Sequence, residues 1–135
     1  MTQAEIVLQG GYSGYDALNS FIASFAEAEG YSRLFLEQLQ LSMKEVFVNA
    51  VKHGNSEQNS LSVSCTLSAA AGTLLASIRD CGKGFNFDEL PNPVDPRNLF
   101  RLSGRGLFIL RSIAEIIALE RDREGSVLTL RFHPS

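Results

Sequence analysis

A chain of 135 residues fits one compact domain, long enough to bury roughly two thirds of its unfolded surface. It is 44% hydrophobic and 20% charged with a formal net charge of −3 at pH 7, a balance that argues against a nucleic-acid binder, which needs a basic surface or stripe. Its two cysteines, Cys65 and Cys81, lie too far apart and too short of neighbouring histidines for a zinc site, and suit a reducing cytoplasm. Nothing near Met1 has the pattern of a signal segment, and the most apolar stretch, Leu107 to Leu119, is interrupted by Arg111 and Glu115. A soluble protein without a membrane anchor is expected.

The first element is a short β-favouring run, Glu5 to Gln9, ended by Gly10-Gly11 and suited to a sheet edge. From Tyr15 to Glu29, Leu18, Phe21, Ile22, Phe25 and Ala28 recur at three- and four-residue steps, which predicts an amphipathic helix stopped by Gly30. Ser32 is placed to cap a second helix running to about His53 and ending at Gly54-Asn55. At 100° per residue, Leu39, Met43, Val46, Phe47 and Ala50 share one side of that helix, and Gln38, Ser42, Glu45, Asn49 and Lys52 share another. On pattern alone the polar stripe reads as a solvated face. Its spacing also sets the carboxylate of Glu45 one turn from the amide of Asn49.

Leu61 to Leu67 and Leu74 to Arg79 read as two strands joined through Ala69-Ala70-Ala71-Gly72, which leaves Asp80 at a strand end. Leu107 to Leu119 reads as a buried helix, and Leu119 to Arg123 with Val127 to Phe132 as a closing hairpin turning at Glu124-Gly125. Strands that come in hairpin pairs, with helices enough for one face, imply a two-layer α/β sandwich with a mixed, mostly antiparallel sheet and helices on one face. Between Asn86 and Ser103 a segment with Pro91, Pro93 and Pro96 is long for a loop inside a compact domain, as lids are.

Two glycine clusters flank that loop: Asp80-Cys81-Gly82-Lys83-Gly84-Phe85 and Gly104-Arg105-Gly106-Leu107. The first alone is ordinary turn chemistry, and the second alone matches neither a phosphate loop of the Gly-Lys-Ser/Thr type nor a dinucleotide-binding unit. Their order after Glu45-x-x-x-Asn49 is more specific. With Lys44 to Gly54 similar to an N box and the two clusters similar to two glycine boxes, the chain resembles the GHKL ATPases and kinases, which share the Bergerat nucleotide-binding fold. Within that superfamily it is similar to the stand-alone anti-sigma factor serine kinases of bacterial stress and sporulation control (RsbW- and SpoIIAB-like). The resemblance covers nearly the whole chain.

The resemblance implies ATP and Mg²⁺ as ligands, with Glu45 as the base and Asn49 as the metal ligand. Both suit their residue types, since a carboxylate accepts a proton and an amide oxygen suits a hard cation. It further implies nucleotide contacts from Asn49, Asp80, Gly82, Gly84, Phe85, Gly104, Arg105, Gly106 and Leu107. An ionised Asp80 only accepts hydrogen bonds, which selects the exocyclic amine of adenine over the carbonyl of guanine. Free N–H groups from Gly104 to Leu107 would face phosphate, with Arg105 beside them. His53, Lys52 and Lys83 fit a helix-end partner and surface charges as well as any chemical role.

The expected function is an ATP-dependent protein serine kinase and anti-sigma factor that phosphorylates a STAS-type anti-anti-sigma partner, sequesters a sigma factor and forms a homodimer. The alternatives are a nucleotide-gated binding module without phosphotransfer and a detached catalytic domain of histidine-kinase type. Glu45 favours catalysis, because a pure binder has no need of a base there.

Overall fold

The computed structural model describes residues 2–9, 12–51, 62–80, 113–122 and 125–134. In chain order these form strand β1 (Thr2–Gln9), a short 3-10 turn (Tyr12–Gly14), helices α1 (Tyr15–Glu29) and α2 (Arg33–Asn49), and strands β2 (Ser62–Ala70), β3 (Thr73–Asp80), β4 (Ala114–Asp122) and β5 (Gly125–Phe132). The sheet order is β1-β2-β3-β5-β4, and every neighbouring pair is antiparallel. It is the two-layer α/β arrangement expected.

The helices form where their local signals place them. At the end of α1, Gly30 adopts φ 73, a left-handed conformation that costs a residue without Cβ nothing. Its N–H and that of Tyr31 then reach back to the carbonyls of Glu27 and Ala26, at 3.1 and 3.0 Å, and satisfy helix-end acceptors. Two residues later the Ser32 hydroxyl accepts from the Phe35 N–H at 3.1 Å, a cap that contributes about 1 kcal/mol. Beyond Asn49, Ala50 and Val51 continue in a wider, π-type turn. The predicted continuation to His53 and Gly54 lies outside the described residues.

Residues two apart on a strand share a face, so the register sorts the sheet into two surfaces. Leu8, Val63, Cys65, Leu67, Leu74, Ala76, Ile78, Leu128, Leu130 and Phe132 are buried, and they form one core with Leu18, Ile22 and Phe25 of α1 and Leu39, Met43 and Phe47 of α2. The opposite surface is largely polar, with Val7 and Leu75 the exposed apolar exceptions on β1 and β3. There Thr66 donates to Glu5 at 3.1 Å, and the hydroxyls of Ser77 and Thr129 meet across β3 and β5 at 3.2 Å. On the same surface, Glu115 accepts from Arg131 at 2.8 Å and from His133 at 2.9 Å. The Arg131 bond first and the His133 bond second draw its carboxyl down to about 2.

The structure corrects several sequence expectations. Most importantly, the predicted helix over Leu107 to Leu119 does not extend to its end: Ile113 is still helical, but Ala114–Asp122 is strand β4. Glu115-Ile116-Ile117-Ala118 is apolar enough for a buried helix, yet its β-branched pair also suits a strand, and pairing with the whole of β5 decides between them. A register shift between Ile116 and Ala118 breaks the strict alternation that would have signalled a strand. The closing hairpin is accordingly longer than Leu119 to Arg123 and Val127 to Phe132. In the same way β1 begins at Thr2, since Thr2 to Gln9 pairs with Ser62 to Ala69 of β2. Finally, the polar stripe of α2 is not a solvated face throughout, because Ser42 is fully buried and returns its hydroxyl to the Gln38 carbonyl at 2.9 Å.

Candidate functional site

The residues expected to carry chemistry converge on one end of the sheet, to the extent that they are described. Aromatic contacts fix the direction of α2. Phe35, in its first turn, meets Phe132 edge-on at 6.0 Å, and Phe132 is the register partner of Leu74 at the start of β3. From that shared origin α2 rises about 21 Å from Phe35 to Asn49, and β3 spans about 20 Å from Leu74 to Asp80. Glu45, Asn49 and Asp80 therefore lie towards the same end, two on the helical layer and one on the sheet.

Asp80 is the best defined of them. It shares the helix-covered face with Val63 and Ile78 and is 8% exposed, one of two polar residues buried among those described. Its Oδ1 accepts from the Ser126 N–H of β5 at 3.3 Å. Ser126 was not anticipated from sequence as part of the site. The signal that could have found it is the Gly125-Ser126 step opening the final strand, which the register sets opposite Asp80. A carboxylate on the buried face at a strand end is costly unless polar groups meet it, which makes this position suited to reading a hydrogen-bond donor.

Glu45 is half-buried on α2. Beside it, Lys44 holds its ammonium 5.7 Å from the centre of the Tyr15 ring, and Tyr15 lies 6.3 Å from the Phe47 ring. This cation–π contact ties the end of α2 to the start of α1 and steadies the turn that carries Glu45. Asn49 is the final α-helical residue. Gly82, Gly84, Phe85, Gly104, Arg105, Gly106 and Leu107 lie outside the described residues, as do Lys52, His53, Cys81 and Lys83.

Among the described residues no cluster of three histidine, cysteine or carboxylate groups could hold a metal. Cys65 is buried in the core, where desolvation, with a smaller contribution from Glu5, pushes its thiol up to about 12, so it is no metal ligand or nucleophile. No helix among the described residues is long and apolar enough to cross a membrane.

Serine-protein kinase RsbW of Listeria monocytogenes serotype 4a (strain HCC23) is 20% identical over 117 residues, covering 82% of this chain and 74% of the relative. RsbW of Listeria innocua serovar 6a matches to the same extent. Among solved structures, the RsbU and RsbW domains of Rv1364c from Mycobacterium tuberculosis superpose with a TM-score of 0.62 at 18% identity, over 99% of this chain. The blue-light activated histidine kinase EL346 of Erythrobacter litoralis superposes with a TM-score of 0.52 at 23% identity, over 73% of this chain. This chain spans 33% and 30% of those two solved chains, and the likeness to them is one of fold. A family model described as the histidine kinase-like ATPase domain matches residues 14–132, and the chain belongs to that family.

Proposed function

We propose that the chain is an ATP-dependent protein serine kinase and anti-sigma factor, whose substrate is a serine on a STAS-type anti-anti-sigma protein. The observation that carries the reading is the buried carboxylate of Asp80, held at the same end of the sheet to which α2 carries Glu45 and Asn49. Family membership supports ATP as the ligand, and the similarity to RsbW serine kinases supports the reaction. In this reading Asp80 accepts from the adenine amine, Gly82, Gly84 and Phe85 lie against the nucleoside, and the Gly104 to Leu107 backbone with Arg105 meets phosphate.

Asn49 would hold Mg²⁺ through its amide oxygen, the donor type that the ion prefers, and the metal would offset phosphate charge. Glu45 accepts the proton of the partner's serine hydroxyl as that oxygen bonds to the terminal phosphorus and the bond to the ADP oxygen breaks. A homodimer of the chain would hold the sigma factor whenever the STAS partner is phosphorylated and so out of reach. The cytoplasm is the compartment in which these partners meet.

The test is incubation with terminally labelled ATP, Mg²⁺ and a candidate STAS-domain protein, followed by mapping of the label. Label on a serine of that protein is expected. Saturable ATP binding with no label on any STAS partner that the chain binds would reduce it to a nucleotide-gated binding module.

A further inference from the structure

At the end of the sheet remote from Asp80, the α1–α2 turn and the β2–β3 hairpin enclose a cleft of about 450 Å³, within the range of small-ligand sites. One wall is Glu29, Gly30 and Tyr31; the facing wall is the small-residue run Ala70, Ala71 and Gly72. The eight residues of β3 put about 23 Å between this cleft and Asp80, so it is not part of the nucleotide end.

Among the described residues Glu29 is the only charged side chain lining the cleft. Among the described residues the Glu29 carboxylate has no ion-pair partner. The α1 helix ends there, so the negative end of its dipole faces the same space. Tyr31 adds a phenol, and its ring meets Phe35 edge-on at 5.1 Å and lies tilted against Phe25 at 6.4 Å. Burial and then the Glu29 charge raise the Tyr31 hydroxyl above its ordinary value, which marks the two groups as close neighbours.

A single carboxylate is too few oxygen donors for a hard divalent ion, which takes six or so. A planar cation that pairs two-pronged with a carboxylate and stacks on an aromatic ring meets both features of the wall. The alanines and glycine opposite leave room for an apolar stem. The carboxylate of a free amino acid would be repelled by Glu29 with no cationic side chain among the described lining residues to hold it, whereas an arginine within a peptide carries no such group.

We propose that this cleft is a docking site for an arginine side chain presented by a partner polypeptide, with Glu29 receiving the guanidinium and Tyr31 its flat face. The site is independent of the kinase reaction.

The test is an amide NMR titration of the full chain with N-acetyl-arginine-N-methylamide, its uncharged citrulline counterpart, its lysine counterpart and free arginine. The blocked arginine should shift the amides of Gly30, Tyr31, Ala71, Gly72 and Thr73 in a saturable way. The citrulline compound, and the blocked arginine with Glu29→Gln, should each bind about tenfold more weakly or worse. Absent shifts at these amides, or equal binding by the citrulline compound, would overturn the proposal, and the citrulline comparison holds even where the variant folds poorly. Equal binding of the lysine compound would remove the guanidinium assignment, and tighter binding of free arginine would remove the polypeptide partner.

Discussion

The main-chain N–H of Ser126 donates to Oδ1 of Asp80 at 3.3 Å, between two residues that are also register partners on β5 and β3. The bond helps to orient a buried carboxyl at the end of β3. Asp80→Asn keeps the shape and removes the charge. ATP affinity by calorimetry should fall about tenfold or more, while the thermal unfolding midpoint stays close to that of the parent chain. Unchanged ATP affinity would take Asp80 out of the base-reading role.

The two helical residues should separate binding from transfer. Glu45→Ala should retain ATP and lower phosphotransfer to a STAS partner by roughly 100- to 10,000-fold, the range associated with loss of a general base. Asn49→Ala should instead weaken ATP binding in the presence of Mg²⁺ and change it little without the ion. Full transfer by the Glu45 variant would sink its assignment, and so would an Asn49 variant whose Mg²⁺ dependence is intact.

The β2–β3 hairpin contains a correctable strain. Ala71 and Gly72 form its two-residue turn with φ of 51 and 76, the paired positive values that a right-twisted hairpin favours. Alanine pays a steric cost there which asparagine largely escapes. Ala71→Asn should therefore stabilise the fold by about 0.5–1 kcal/mol, read from urea unfolding midpoints. A lower midpoint would show that the turn is not held in this conformation in solution.

Cys65 gives stability a pH dependence with a definite sign. Its thiol moves from an ordinary 9.0 up to about 12 in the folded chain, because burial disfavours the thiolate and Glu5 adds to the effect. Between those values the unfolded chain loses the proton and the native chain keeps it. The stabilisation is thus fully present below pH 9.0 and is lost as pH rises through about 12. Cys65→Val, which cannot ionise and suits a strand, should show a shallower decline in unfolding free energy than the parent from about pH 9 to about pH 10.5. Parallel curves would mean that the thiol is not desolvated in the native state.

The elements with local punctuation were legible. Leucine and phenylalanine at helical spacing, Gly30 as a stop and Ser32 as a cap placed α1 and the start of α2, since these signals act within a turn or two of chain. The Asp80 position was legible too, because a β-favouring run ends at it. What misled was Glu115-Ile116-Ile117-Ala118, where composition admits helix or strand and the register shift hides the alternation. Ser42 misled for a related reason: a small hydroxyl can bond its own helix backbone and so occupy the core with its polar atom satisfied.

Of the candidate site, residue type and order alone suggested Glu45, Asn49 and Asp80, and the resemblance of their motifs supplied the roles. Tertiary structure brought the described parts to one end of the sheet and made Ser126 a partner of Asp80, since strand pairing joins residues that are 46 positions apart. It also built the Glu29–Tyr31 cleft, whose walls come from segments with no shared motif. The sequence by itself determined α1, the start of α2, the Gly30 stop and Ser32 cap between them, the hairpin character of the strands and the family likeness, because periodicity and turn chemistry are local. Only the folded sheet decided that Ala114–Asp122 is a strand, that Asp80 is buried and that a second, acidic cleft exists, because each depends on long-range pairing that no local pattern encodes.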